Sequence, residues 1–133
     1  MSSYSITSLF PFRRVKIKNF FKIEKPDLGS VYFVVLTPDK RYTPICHESK
    51  SKTEVIHSWH QRKIRDLDIL GNICYVVLHY RKIYCPNCGI KVEKTGVSSP
   101  GGPQVTNRLA QYIHELCQHM TVKEVAKQLN LDW

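Results

Sequence analysis

Cys85 and Cys88, in Tyr84-Cys85-Pro86-Asn87-Cys88-Gly89, are the residues whose type and spacing point most directly to chemistry. Two thiols separated by two residues, with Pro between them and Gly after, form a tight turn that aims both sulfurs at one metal ion. Zinc prefers thiolate and imidazole and takes four such ligands in a structural site, so further donors must come from elsewhere. Cys46 is the third. Its segment, Thr43-Pro44-Ile45-Cys46-His47, has the form of the same knuckle with Thr43 in place of the first thiol. For the fourth ligand His47 ranks ahead of His57 and His60, which would swing in from the next segment. The alternative is a knuckle without metal, with Cys46, Cys85 and Cys88 as reduced thiols in a small core.

A Cys-Pro-x-Cys sequence also serves thiol oxidoreductases, where a helix N-terminus stabilises the first thiolate. Here Gly89-Ile90-Lys91-Val92-Glu93-Lys94 follows, which begins with Gly and alternates like a strand, so that device is missing and redox catalysis is set aside. Cys74, in a strand-like run, and Cys117, near a helix end, are expected as small core residues. His79, His114 and His119 lack a partner at ligand spacing. The acidic residues form no constellation for metal-dependent phosphoryl transfer. Gly101-Gly102 lacks the Lys-Ser/Thr of a phosphate loop, so no small-molecule substrate is expected.

The charge is strongly positive, +9, and its placement is informative: residues 1–103 carry 17 basic and 8 acidic residues, the entire excess. That distribution favours a polyanionic partner, double-stranded DNA, with Arg13, Arg14, Lys16, Lys18, Arg62, Lys63, Arg65, Arg81 and Lys82 as the phosphate-contacting candidates. A lysine-rich surface that merely aids solubility is the blander alternative. Tyr32, Phe33, Trp59, Tyr75, Tyr80 and Tyr84 are interleaved with these cations and could stack on bases or fill a sheet core. Trp59, flanked by His57, His60 and Arg62, stands foremost. Five cysteines, an odd number, argue against a secreted disulfide framework. No stretch reaches the roughly 20 apolar residues of a membrane span, and Met1-Ser2-Ser3-Tyr4-Ser5 lacks the start of a signal peptide. A soluble cytoplasmic protein without a membrane partner is the expectation.

These residues must be held by an α+β chain. Val15 and Ile17 alternate with Arg14, Lys16 and Lys18 within residues 13–23, and Val31-Tyr32-Phe33-Val34-Val35-Leu36 follows across the turn Pro26-Asp27-Leu28-Gly29-Ser30, which reads as a hairpin. Short strands are expected at 55–59 and 63–67, a turn at Gly71-Asn72, and a strand through Ile73-Cys74-Tyr75-Val76-Val77-Leu78-His79-Tyr80 that delivers the chain into Cys85. Residues 95–104 (TGVSSPGGPQ) read as a linker with nothing that could pack. Beyond it Val105, Leu109, Tyr112, Ile113 and Leu116 follow a helical period, and Thr121-Val122-Lys123-Glu124 opens a second helix with a capping box. The expected organisation is a small antiparallel strand-rich, zinc-ribbon-like domain over 1–94, a linker over 95–104, and a two-helix, partial helix-turn-helix segment over 105–133.

The order of these parts resembles the N-terminal region of ISL-three family insertion-sequence transposases. The likeness lies in Thr43-Pro44-Ile45-Cys46, then His57 ahead of Arg62-Lys63-Ile64-Arg65-Asp66-Leu67. It continues through Arg81-Lys82-Ile83-Tyr84-Cys85-Pro86-Asn87-Cys88-Gly89 and the helical pair 106–126. What the resemblance implies is a zinc finger followed by a helix-turn-helix that recognises transposon-end DNA, without the family's acidic-triad catalytic domain, and therefore not an enzyme by itself. A homodimer is the assembly such a role allows. The sequence ends at Trp133, where the turn into a recognition helix is expected. A metal-stapled protein- or RNA-interaction module, or an inactive transposase remnant, is the alternative.

Overall fold

The computed structural model describes residues 8–131. The opening Met1-Ser2-Ser3-Tyr4-Ser5 and the closing Asp132-Trp133 lie outside them. Five strands form one sheet: β1 (Val15–Lys25), β2 (Gly29–Pro38), β3 (Ile56–Ile69), β4 (Asn72–Cys85) and β5 (Gly89–Val92), in the order β1-β2-β4-β3 with β5 also on β4. Two helices follow, α1 (Asn107–Leu116) and α2 (Val122–Leu129). The fold class is the expected α+β, strand-rich first and helical last.

The hairpins arise where the sequence placed them. β1 and β2 pair antiparallel from Val15↔Pro38 to Lys25↔Gly29, with a bulge between Ile17 and Asn19. The β3–β4 turn uses Leu70 (φ 51°) and Gly71 (φ 78°), two successive left-handed residues that match the twist of a two-residue hairpin. Two differences are informative. The runs at 55–59 and 63–67 are one continuous strand, because β4 offers an antiparallel partner from Ile83 to Asn72, with bulges only between Ile56 and Ser58 and between Asp66 and Ile69. The sheet is also not wholly antiparallel: β2 pairs β4 in parallel, Val31↔Ile73 to Leu36↔Leu78. β4 turns back along β3 and slots beside β2, so β3 becomes an edge strand. On its other edge β4 is shared, with β2 along residues 73–78 and β5 along residues 82–85.

One sheet face carries the core: Val34, Leu36, Ile64, Cys74, Val76 and Leu78, closed over by Phe10 and Val97. Val97 lies inside the stretch read as an open linker and is fully buried, which corrects that reading. The neighbouring backbone is tied down as well. Arg65 N–H donates to the Gln104 carbonyl (3.0 Å) and Thr106 N–H to the Arg65 carbonyl (2.8 Å), a parallel bridge along the free edge of β3.

The helices pack on each other and on Leu67 of β3 through Leu109, Val125 and Leu129. Thr106 caps α1 by accepting from Leu109 N–H, and Thr121 caps α2 by accepting from Glu124 N–H at 3.1 Å. Cys117 is exposed just after α1, not in a core as expected, since the apolar stripe of this helix points the other way.

Two neighbouring residues of β3 fasten the helices. Asp66, fully buried, accepts from Thr106 Oγ1 (2.8 Å) and from Arg108 Nε (2.8 Å) and Nη2 (2.5 Å). Arg65 donates to the Leu129 and Asn130 carbonyls at the end of α2 and to Asp68. A buried carboxylate held by a cation and a cap is costly to disrupt, because removing one side leaves the other unpaired. Asp66→Ala is expected to lower unfolding stability by about 3 kcal/mol, measured in urea, and to speed amide exchange in α1 and α2 ahead of the sheet. Unchanged exchange in both helices would mean that they hold their position without this fastening.

Candidate metal centre and nucleic-acid interface

Cys46, Cys85 and Cys88 converge, their sulfurs all within 4.8 Å of one another. The sheet brings them together. Cys85 ends β4 and Cys88 precedes β5, with Gly89 (φ 82°) in the left-handed conformation that the tight turn requires. Cys46 arrives beside them because residues 45–47 lie against the exit of β5: Lys94 N–H donates to the Ile45 carbonyl (2.7 Å), and Cys46 bridges Glu93. Glu93 is in turn locked to Arg81 of β4 by Arg81 Nε (2.6 Å), Nη2 (2.7 Å) and backbone N–H (2.9 Å).

The first knuckle differs from its sequence reading. The turn that wraps a thiol begins at Cys46 and not at Thr43. The N–H groups of Glu48 and Ser49 point at the Cys46 sulfur, as those of Asn87 and Cys88 point at Cys85. Lys50 (φ 63°) then takes the left-handed conformation that Gly89 takes in the other knuckle. Ser49 therefore stands where Cys88 stands. Its Oγ is 3.2 Å from Cys85 Sγ. The Cys46-x-x-Ser49 spacing was visible in the sequence, but Lys50 lacks the glycine signature of such a turn.

His47 is not brought into the group. Its Nδ1 lies 2.9 Å from the Val92 carbonyl, which can only accept, so Nδ1 carries the proton and the ring is anchored to β5. His57 and His60 both hydrogen-bond Ser58 and rest against Tyr84 and Tyr80 respectively.

The thiols do not titrate alike. The hydroxyl of Ser49 lowers Cys85 to about 6; burial opposes this and the N–H groups of Asn87 and Cys88 reinforce it. Burial pushes Cys46 up, but the N–H and hydroxyl of Ser49 and the N–H of Glu48 outweigh it, leaving a lowered thiol. Cys88 is raised, by burial first and then by its two sulfur neighbours. Three clustered thiols with backbone donors fit the soft, anion-seeking demand of zinc, which would take them as thiolates and crosslink the two knuckles. Cys74 is different: burial, then the nearby Asp66, pushes it up to about 12, and it is an inert core thiol.

The basic candidates separate into free and committed. Arg13, Lys16, Lys18 and Lys63 are exposed, and Arg14, Arg62 and Lys82 are half-buried. Arg14 donates to the Thr43 carbonyl, and Arg62 to the Gly102 and Pro103 carbonyls. Arg65 and Arg81 are buried and held by the partners given above, Arg65 through its two terminal nitrogens with Nε left unpaired, so neither guanidinium is presented to a phosphate.

The sheet face opposite the core gathers several of the others. At one end Lys16, Lys18, Lys40, Tyr42 and Trp59 line a groove of about 600 Å³, floored by Arg81. Trp59 is 58% exposed, and the Arg81 guanidinium lies 5.5 Å from its ring. Toward the other end Phe21, Phe33 and Tyr75 stack across three strands at 5.3 and 5.7 Å, with Lys63 Nζ 4.7 Å from the Tyr75 ring. Lys40 and Tyr42 escaped the sequence reading because they belong to no strand pattern; only the fold brings them beside Lys16.

Residues 43–88 match a family described as the zinc-finger of transposase IS204/IS1001/IS1096/IS1165, and residues 102–133 match the helix-turn-helix domain of transposase family ISL3. The chain is 30% identical over 115 residues to the transposase for insertion sequence element IS1001 of Bordetella parapertussis, a match that covers 84% of this chain and 28% of that protein. The chain thus spans under a third of the length of that relative. No solved structure matches it. The chain is thus similar to an ISL3-family zinc finger and helix-turn-helix, matched in the order that the sequence resemblance implied.

Zinc titrated into the reduced protein is expected to bind one ion per chain, with Cys85→Ser and Cys88→Ser each losing it. Cys74→Ser and Cys117→Ser are expected to leave the stoichiometry unchanged. Loss of binding in Cys74→Ser would place the metal elsewhere.

Proposed function

We propose that this chain is a DNA-binding N-terminal part of an insertion-sequence transposase, which holds duplex DNA of the element's ends through phosphate contacts from the uncovered sheet face. Zinc pins the knuckles at the end of β4, and the helix pair, fastened to β3, contributes the start of a helix-turn-helix. A cytoplasmic protein acting on a two-ended element fits this reading, and two copies of the chain, one per end, fit its substrate.

The observation that carries the proposal is the grouping of Lys16, Lys18, Lys40 and Lys63 with exposed Trp59 and Phe21 on one side of the sheet. Cations on a concave face neutralise phosphates and release counterions, whereas half-exposed rings add stacking area when bases are accessible. The zinc-finger and helix-turn-helix matches support DNA over other polyanions. The Phe21–Phe33–Tyr75 stack keeps a second reading in play, single-stranded DNA or RNA, and the same assay separates the two.

Binding of a duplex is expected to weaken steeply between about 50 and about 200 mM salt, and the log–log slope to fall by about 2 in the Lys16→Ala, Lys18→Ala double variant. A slope that stays the same in that variant would remove the groove from the contact surface. Tighter binding to single strands than to duplex would favour the second reading.

Trp59→Ala is expected to weaken binding by a few-fold to tenfold without altering the salt slope, since it removes stacking or packing area and no charge. A changed slope would mean that Trp59 acts by placing a cation.

A further inference from the structure

The three sulfurs leave one corner of a tetrahedral site open, and the side chain nearest that corner is not the histidine that the sequence favoured. Ser49 Oγ lies 3.2 Å from Cys85 Sγ, and Cys85 Sγ belongs to a group of three sulfurs that all lie within 4.8 Å of one another. An oxygen in contact with one sulfur of that group is placed to close on an ion the three sulfurs hold. Around tetrahedral zinc, sulfur–sulfur edges are about 3.8 Å and oxygen–sulfur edges about 3.6 Å. The 3.2 Å between Ser49 Oγ and Cys85 Sγ is near the oxygen–sulfur edge, and the sulfurs, all within 4.8 Å of one another, would draw together around the ion.

We propose that the Ser49 hydroxyl fills the fourth corner of the metal site, making it a centre of three sulfurs and one oxygen. The backbone gives this independent support. Cys46-His47-Glu48-Ser49-Lys50 repeats the turn of Cys85-Pro86-Asn87-Cys88-Gly89, with left-handed Lys50 answering left-handed Gly89, so Ser49 is delivered by the same geometry that delivers Cys88. The three thiols release their protons as zinc binds, and the neutral hydroxyl contributes a lone pair. The bound centre then carries a single net negative charge, where four thiolates would carry two.

An alcohol oxygen is a weaker and harder donor than thiolate. Ser49 is also exposed, so this corner faces solvent. Zinc held this way leaves more readily to a chelator than from a four-sulfur site, and the tie between the knuckles is correspondingly reversible.

The test uses the full chain, loaded with zinc or with cobalt(II) under reducing conditions, and compares Ser49→Ala, Ser49→Cys and His47→Ala. Ser49→Ala is expected to lose about tenfold or more in zinc affinity against a competing chelator, and His47→Ala to lose nothing. Ser49→Cys is expected to slow zinc release and to raise the cobalt–thiolate charge-transfer band by about a third, as three sulfurs become four. Equal affinity and an equal cobalt spectrum in wild type and Ser49→Ala would overturn the proposal in favour of water at that corner, and a loss confined to His47→Ala would overturn it in favour of the histidine. If Ser49→Ala fails to fold, the Ser49→Cys band decides alone: no increase sinks the assignment. DNA is absent from these measurements, so they stand or fall separately from the proposed binding function.

Discussion

The hold of Arg65 and Asp66 on the helical region is the constraint on which the arrangement of the whole chain depends. Successive residues of an extended strand face opposite sides, so one short stretch of an edge strand can grip two different things. Asp66 takes the start of α1 through Thr106 and Arg108, and Arg65 takes the end of α2 through the Leu129 and Asn130 carbonyls. The backbone of Arg65 meanwhile pairs with Gln104 and Thr106. Neither charge has enough water to be satisfied by solvent, so each enforces its partner's position. The helix pair is too short to be stable alone and gains its order from this attachment and from Leu67.

β4 does the corresponding work at the other end. It pairs with β3 along one edge and with β2 and then β5 along the other, so three partners fix the strand that carries Cys85. Through Glu93, the β4–β5 hairpin also binds the segment carrying Cys46. The thiol cluster is therefore positioned by sheet register before any metal arrives. A small satellite core of Cys46, Ile83 and Cys85, with Cys88 packed against it, buries this end, and a metal crosslink would compensate for what so few apolar groups can supply.

Local features were legible in the sequence and long-range ones were not. The β1–β2 hairpin, the turn at Gly71, the Cys85–Cys88 knuckle and both helices each announce themselves within a few residues, by alternation, turn chemistry or caps. The parallel pairing of β2 with β4 leaves no such mark, because both strands are apolar on two faces and either direction would satisfy them. Arg65 and Arg81 looked like surface cations because burial of a charge is decided by partners at a distance: Glu93 twelve positions from Arg81, and Leu129 sixty-four from Arg65. Val97 was hidden by its neighbours, since one apolar residue among Gly, Pro and Ser carries no periodicity. The Ser49 corner needed the backbone angle of Lys50, which no residue type announces.

β1 is the outermost strand of the sheet, and an outermost strand offers unpaired N–H and C=O groups to any other chain in solution. The bulge between Ile17 and Asn19 breaks the regular ladder there, and Lys16, Lys18 and Lys25 set like charges along the rim, with Lys22 paired to Glu24. Those lysines thus act as gatekeepers against edge-to-edge self-association, quite apart from any phosphate they touch. On the proposed reading, Lys16 and Lys18 would serve both the sheet face and its rim, so substituting them would weaken solubility together with phosphate binding.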